Sequence, residues 1–211
     1  MMNWDGLRVC VTGSTGFVGH HLTKALVSSG AAVVAFVRKD SVRMRNLSAL
    51  IRAGSIRVRE GDIRRYRDVK ETLSGCDVVF HLAAQAIVGE SIRRPRATLE
   101  TNIMGTVNVL EAARSSGAVE AIVVASTDKV YGEPKSLPVT EGHPLAWKNP
   151  YELSKVSADL CAQMFANIYG LPIAITRCSN IRARRRQFLQ SHPELRDRRA
   201  ARKASRDQEQ R

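Results

Sequence analysis

Leu7-Arg-Val-Cys-Val-Thr12, followed by Gly13-Ser-Thr-Gly-Phe-Val-Gly19, is an apolar, β-branched run that stops at three glycines spaced three residues apart. The order predicts a strand, a tight turn and a helix. Glycines at such a junction permit the turn itself, a close approach of pyrophosphate to backbone, and tight packing of the helix on the strand, while the helix start offers unpaired N–H groups to phosphate oxygens. The spacing is Gly-x-x-Gly-x-x-Gly and not the more usual Gly-x-Gly-x-x-Gly, so the dinucleotide reading depends on its surroundings. Gly13, Gly16, Phe17 and Gly19 are the candidate cofactor-binding residues of this loop.

Outward from it, further apolar runs occur at residues 32–37, 56–59, 77–81, 121–126 and 172–177, with intervals long enough for helices. That alternation predicts an α/β fold with a parallel, doubly wound sheet. Val18, Leu22, Ala25 and Leu26 share one helical face, and Gly30 stands where a left-handed cap would end that helix. Gly117 and Gly170 repeat the punctuation before the fifth and sixth runs. From Thr98 to Ala113 a helix rich in alanine and leucine is expected, with Asn102, Gly105 and Asn108 on its solvent side.

The formal net charge is +13, but residues 182–211 carry 11 Lys and Arg against 4 Asp and Glu, a surplus of +7. Basicity is therefore concentrated in a tail with few large apolar residues, which is expected to be disordered or weakly helical. The expected division is a nucleotide-binding domain over 1–181 and a basic tail over 182–211. No apolar run approaches the ~20 residues of a membrane-spanning helix, and the start lacks a signal core, so a cytoplasmic protein without membrane contact is expected. Cys10, Cys76, Cys161 and Cys178 form no C-x-x-C pair and lie mostly in apolar segments, which predicts buried structural thiols. His20 and His21 diverge as helical neighbours, so no metal site is expected.

Tyr151-Glu-Leu-Ser-Lys155 puts a phenol and an ammonium on one helical face. A cation beside a phenol lowers its pKa and makes a general base for an alcohol proton. Combined with the loop at 12–19, Gly61-Asp-Ile63, His81-Leu-Ala-Ala84 and Ser126-Thr-Asp-Lys-Val-Tyr-Gly132, the chain over about residues 7–181 resembles the extended short-chain dehydrogenases/reductases, in their NAD-dependent epimerase/dehydratase branch. Phe80–Glu90, Ser126–Gly132 and Arg177–Ile181 look most like CDP-glucose 4,6-dehydratases. The resemblance implies a Rossmann-like fold and a nucleotide-sugar substrate.

On that resemblance Gly13, Gly16 and Gly19 hold the pyrophosphate, Asp62 and Ile63 the adenine, and Ala83 the adjoining cofactor backbone; Asn180 would touch substrate. Thr127, Tyr151 and Lys155 form the hydride-transfer set, Tyr151 and Lys155 also binding cofactor. Tyr151 would take the O4 proton as hydride leaves C4, and Asp128 would protonate the departing C6 hydroxyl. Lys129 stands where related dTDP-glucose enzymes carry a glutamate that removes the C5 proton, and would be a base only if burial or another cation depressed its pKa; otherwise it would stabilise the enolate electrostatically. Asp62 could instead cap the next helix, and His81 reads as a satisfied histidine at the core edge.

The second strand ends Phe36-Val-Arg-Lys-Asp40 without an acidic residue at its last position, so Arg38 could meet a 2′-phosphate and NADP stays open. NAD is preferred, because a hydride returned within one turnover suits a retained cofactor, the one the resembling dehydratases use. After Ile181 the family's Tyr-Gly loop and substrate lobe give way to Arg182 and arginine-rich sequence, which reads as a fold truncated before that lobe, by frameshift or early termination. Four functions stay open: a dehydratase, a 4-epimerase or reductase using the same tyrosine, a non-catalytic NAD-binding remnant, and nucleic-acid contact confined to the tail. A homodimer is an open assembly.

Overall fold

The computed structural model describes residues 4–134 and 136–181. Among them β1 (Arg8–Thr12), β2 (Ala32–Val37), β3 (Ile56–Glu60), β4 (Val78–His81), β5 (Ala121–Ala125) and β6 (Ile173–Thr176) form one parallel sheet in the order β3-β2-β1-β4-β5-β6. Each strand matches its apolar run to within one residue at either end. The direction of winding reverses between β1 and β4, and a crevice therefore opens beyond their carboxyl ends, where ligands bind doubly wound sheets.

The crossovers are α1 (Phe17–Ser28), α2 (Ser48–Arg52), α3 (Tyr66–Leu73), then α4 (Val88–Arg93), α5 (Pro95–Leu99) and α6 (Gly105–Ser116), and finally α7 (Pro150–Tyr169). Left-handed glycines follow α1, α6 and α7 at Gly30, Gly117 and Gly170, as the punctuation predicted. Alternate strand residues enter opposite layers. Val9 and Val11 pack with Leu26 of α1, whereas Cys10 joins Phe36, Val79, Leu110 and Phe165 under α3, α6 and α7. Both faces are covered, which is why the inner strands are continuously apolar and not alternating. Each buried phenylalanine of this layer contributes about 2–3 kcal/mol.

The expectation of buried cysteines holds for Cys10 and Cys76; Cys161 is half-buried, and Cys178 is exposed because β6 ends at Thr176. All four are free thiols. No helix among the described residues is long and apolar enough to cross a membrane. The chain divides into two units, Met1–Ser179 and Asn180–Arg211. Of the second, Asn180 and Ile181 are described and both are exposed; the expected disorder of 182–211 falls outside the described residues.

Candidate active site at the carboxyl edge of the sheet

At the end of β1, Thr12 is buried and its hydroxyl accepts the backbone N–H groups of Leu82 and Ala83, each at 3.1 Å. This ties the end of β4 to the start of the glycine loop. Gly13 follows with φ +69°, and a Cβ placed there would stand 2.8 Å from the Ala83 nitrogen and 2.9 Å from its Cα. A Cβ at Gly19 would collide with Ser14 Cα at 2.8 Å and with the Gly13 carbonyl. The loop thus closes on backbone alone, leaving a cradle that side chains would fill. Gly16 caps α1 without a side-chain hydrogen bond, and no acidic residue stands in the first turn, so the helix start keeps its positive end open to an anion. Ser14 Oγ is buried in the same loop and has no hydrogen-bond partner among the described residues. Ser41 and Asn46, beyond β2, hold Thr15 through its hydroxyl at 3.1 Å and its carbonyl at 2.8 Å. These features fit a pyrophosphate group at Gly13–Gly19.

Beyond β3, Asp62 does not cap α3, whose N-cap is Arg65. Its carboxylate instead accepts the Arg64 N–H at 2.9 Å and the Arg64 guanidinium, which holds its pKa below the ordinary carboxylate value. Asn108 donates to the Ile63 carbonyl at 2.9 Å, and Gly105 lies where a Cβ would meet the Ile63 side chain at 2.9 Å. Asp62, Arg64, Glu100, Met104 and Asn108 line a hollow of about 320 Å³.

After β5, Thr127 opens a single turn of helix, Asp128–Val130: its hydroxyl accepts the Lys129 N–H at 3.3 Å and donates to Asp128 Oδ1 at 3.2 Å. Tyr151 is set by the start of α7, where Asn149 Oδ1 accepts the Glu152 N–H at 3.0 Å and Glu152 reaches back to the Lys148 N–H at 2.7 Å. This reciprocal cap, with Pro150 at the first helical position, fixes the rotation of α7. Thr127, Asp128 and Tyr151 are brought together: burial and the Asp128 carboxylate disfavour the phenolate, while the Thr127 hydroxyl beside the phenol favours it. Burial is the largest of these and raises the phenol above its ordinary value.

The expected lowering of Tyr151 by Lys155 is therefore not found. The Lys155 ammonium turns across to β5 and donates to the Ala125 carbonyl. Burial lowers it to about 8, and Asp159 opposes the fall. Lys129 lies outward, its side chain 57% exposed and its ammonium 3.8 Å from Asp128 Oδ2. It is therefore paired with a carboxylate and open to solvent, not enclosed. Asp128 and Lys129, with Tyr131, Glu141 and Arg177, line a hollow of about 660 Å³. His81 is satisfied, as expected: its ring nitrogens meet the Thr12 and Thr106 hydroxyls at 2.9 Å each, and burial drives its pKa down to about 3. Arg38 is exposed just past β2.

A family model described as GDP-mannose 4,6 dehydratase matches residues 10–206. The chain belongs to this family. It thereby joins the NAD-dependent epimerase/dehydratase branch of the short-chain dehydrogenases/reductases. It is 32% identical over 191 residues to the CDP-glucose 4,6-dehydratase of Salmonella typhimurium, covering 84% of this chain and 53% of that protein. To the UDP-glucose 4-epimerase of Mycolicibacterium smegmatis it is 33% identical over 181 residues, covering 83% and 55%. The structure of a dTDP-glucose 4,6-dehydratase of Streptomyces venezuelae with NAD bound aligns with a TM-score of 0.77 at 34% identity, covering 82% and 55%. The chain spans about half the length of the curated relatives it matches. Dehydratases and epimerases match about equally well, so the comparisons reach nucleotide-sugar 4,6-dehydratase or 4-epimerase and no single substrate.

Several residues of this family member matter without having been singled out. Asn102, expected on the surface, is 2% exposed; it accepts the Gln85 N–H at 2.7 Å and donates to the Gln85 carbonyl at 3.0 Å and to Ser154 Oγ at 2.8 Å. It clamps the loop after β4 to the turn of α7 that follows Tyr151, and it sits in a π-helical turn, Glu100–Met104, between α5 and α6. Such single turns recur at functional sites. An asparagine in mid-helix runs against helix propensity, and that was the available signal. Gly105 and Asn108, likewise expected outward, hold Ile63.

Proposed function

We propose that this chain is the cofactor-binding and proton-transfer part of a nucleotide-sugar 4,6-dehydratase that uses NAD and takes a CDP-glucose-like substrate. The observation that carries the reading is the convergence of Thr127, Asp128 and Tyr151 on the carboxyl edge beside the Gly13–Gly19 cradle. Gly13, Gly16, Phe17 and Gly19 would hold the pyrophosphate, Asp62 and Ile63 the adenosine end, and Ala83, Tyr151 and Lys155 the remainder. NAD bound there supplies an acceptor, and later in the same turnover a donor, of hydride. NAD is preferred over NADP because a hydride returned within one turnover suits a retained cofactor, and because similar dehydratase and epimerase structures carry NAD.

Tyr151, in its phenolate form, accepts the proton of the sugar O4 hydroxyl as hydride leaves C4, with the Thr127 hydroxyl beside the phenolate oxygen. Once C4 is a ketone the C5 proton is acidic: the Asp128 carboxylate takes it and delivers it to the C6 hydroxyl, which departs as water, and hydride then returns to C6 while C5 regains a proton through water from Tyr151. Lys129, exposed and 3.8 Å from Asp128 Oδ2, is assigned to electrostatic stabilisation of the developing enolate. The same arrangement favours a second reading, 4-epimerisation, which needs Tyr151 and Thr127 and no C5 base. Asn180 remains assigned to the substrate.

Incubation with CDP-glucose and NAD, followed by mass spectrometry, separates these outcomes. Loss of 18 mass units (one water) supports the dehydratase; a product of unchanged mass with inverted C4 supports the epimerase. Dinucleotide binding without turnover leaves a non-catalytic nucleotide-binding protein. Tyr151→Phe should abolish turnover and spare NADH affinity; retained turnover removes Tyr151 as the base.

A further inference from the structure

Asp159 of α7 is fully buried, and its carboxylate is the meeting point of three elements of the sheet edge. Ser126, which precedes Thr127, donates its hydroxyl to Oδ2 at 2.7 Å. Arg177, directly after β6, donates through Nε to Oδ2 and through Nη2 to Oδ1, both at 2.9 Å. Gln163 donates to Oδ1 at 2.8 Å. The guanidinium of Arg177 continues to the Tyr131 hydroxyl at 2.8 Å and lies over the Tyr131 ring. A buried carboxylate is tolerated when its oxygens are filled by donors, and here four donor groups fill them. The backbone repeats the connection: Ser126 N–H donates to the Thr176 carbonyl at 2.9 Å and Asp128 N–H to the Cys178 carbonyl at 3.1 Å. Asp159 also follows Lys155 by one helical turn, so both occupy one face of α7.

We propose that Asp159 is a positioning residue of the proton-transfer edge: it holds the Thr127–Asp128 turn through Ser126 and supplies the buried counter-charge of the Lys155 ammonium. This rests on the reading of Tyr151 and Lys155 given above. The groups facing Lys155 are His81 of β4, the Ala125 carbonyl of β5 and Asp159 of α7, with Arg177 of β6 behind Asp159. Among these Asp159 carries the negative charge. Burial drives Lys155 toward deprotonation, and the carboxylate keeps the ammonium in place to bind and orient the cofactor.

The test uses the full 211-residue chain without nucleotide, labelled at the lysine ε-carbon and titrated by NMR, the Lys155 signal being assigned by its loss in Lys155→Met. The wild-type midpoint is expected at about 8. Asp159→Asn keeps the shape and removes the charge, and the midpoint should fall by about one pH unit. Arg177→Gln breaks the same ion pair but leaves the carboxylate, and the midpoint should hold or rise. A merely structural ion pair would move both variants alike. An unchanged midpoint in Asp159→Asn, or a fall in Arg177→Gln, overturns the proposal. Should Asp159→Asn fail to fold, Arg177→Gln decides by the same criterion. Because no cofactor is added, a wild-type chain that binds no dinucleotide refutes the functional reading and leaves this measurement standing.

Discussion

Replacing Gly13 by alanine tests whether the cradle is set by backbone contact or only by backbone conformation. Two costs fall on Gly13→Ala. An L-residue at φ +69° costs about 1 kcal/mol, and a methyl 2.8–2.9 Å from the Ala83 nitrogen and Cα and the Leu82 carbonyl carbon forces β1 and β4 apart. Those neighbours are main chain, so no flexible side chain can give way, and overpacking of this kind costs about 1–3 kcal/mol. Gly54 supplies the control: its φ is +63° and nothing stands within 4 Å of its added Cβ. Gly54→Ala therefore carries the conformational cost alone, and the unfolded-state effect of alanine is common to both variants. Urea unfolding should place Gly13→Ala about 2–4 kcal/mol below wild type and Gly54→Ala about 1 kcal/mol below. At ~2–4 °C per kcal/mol for a chain of this size, the first loses about 5–15 °C and the second only a few degrees. NADH affinity, read by fluorescence, should fall in the first and hold in the second. Equal destabilisation by the two substitutions would refute the close approach of β1 and β4 as the reason for glycine.

Three further outcomes follow from buried polar groups. His81 stays neutral in the fold with a pKa of about 3 and gains a proton on unfolding below about 6.5; stability should therefore drop by about 1.4 kcal/mol per pH unit below 6.5, and thermal midpoints of His81→Asn that parallel wild type down to acid pH would show otherwise. Asn102→Ala removes the partner of the Gln85 N–H and carbonyl, a loss of about 2–3 kcal/mol in urea unfolding; a change below about 0.5 kcal/mol would remove Asn102 as a clamp. Lys155 is depressed to about 8, so its burial penalty is present at neutral pH and relieved as pH rises toward the unfolded value of about 10.5. Lys155→Met should thus stabilise the fold by about 1–2 kcal/mol at pH ~7, after loss of the Ala125 hydrogen bond, with the gain vanishing by pH ~10 while NADH affinity falls at every pH.

The strands were legible because parallel strands covered on both faces leave unbroken β-branched runs, and the runs around Val9, Val33, Val79 and Ile122 are of this kind. The glycine joints were legible because Gly13, Gly117 and Gly170 answer a conformational need that no other residue meets as cheaply. What escaped was where long side chains end. Helical spacing places Tyr151 and Lys155 on one face but does not say what each tip reaches: the ammonium crosses to a β5 carbonyl, and the phenol meets Thr127 and Asp128. The sign of the phenol's shift follows from that difference, because a cation held by a β5 carbonyl does little for a neighbouring phenolate, whereas burial acts on it directly. Asn102, Asp159 and Arg177 escaped for the related reason that each joins elements far apart in sequence, Gln85 to Ser154 or Ser126 to the end of β6, and periodicity within one helix carries no information about them. Local pattern thus sets the sheet and the cradle, while the electrostatics of the edge depends on these long-range polar links; a substitution at Asp159 should alter titration at Lys155 with the six-stranded order intact.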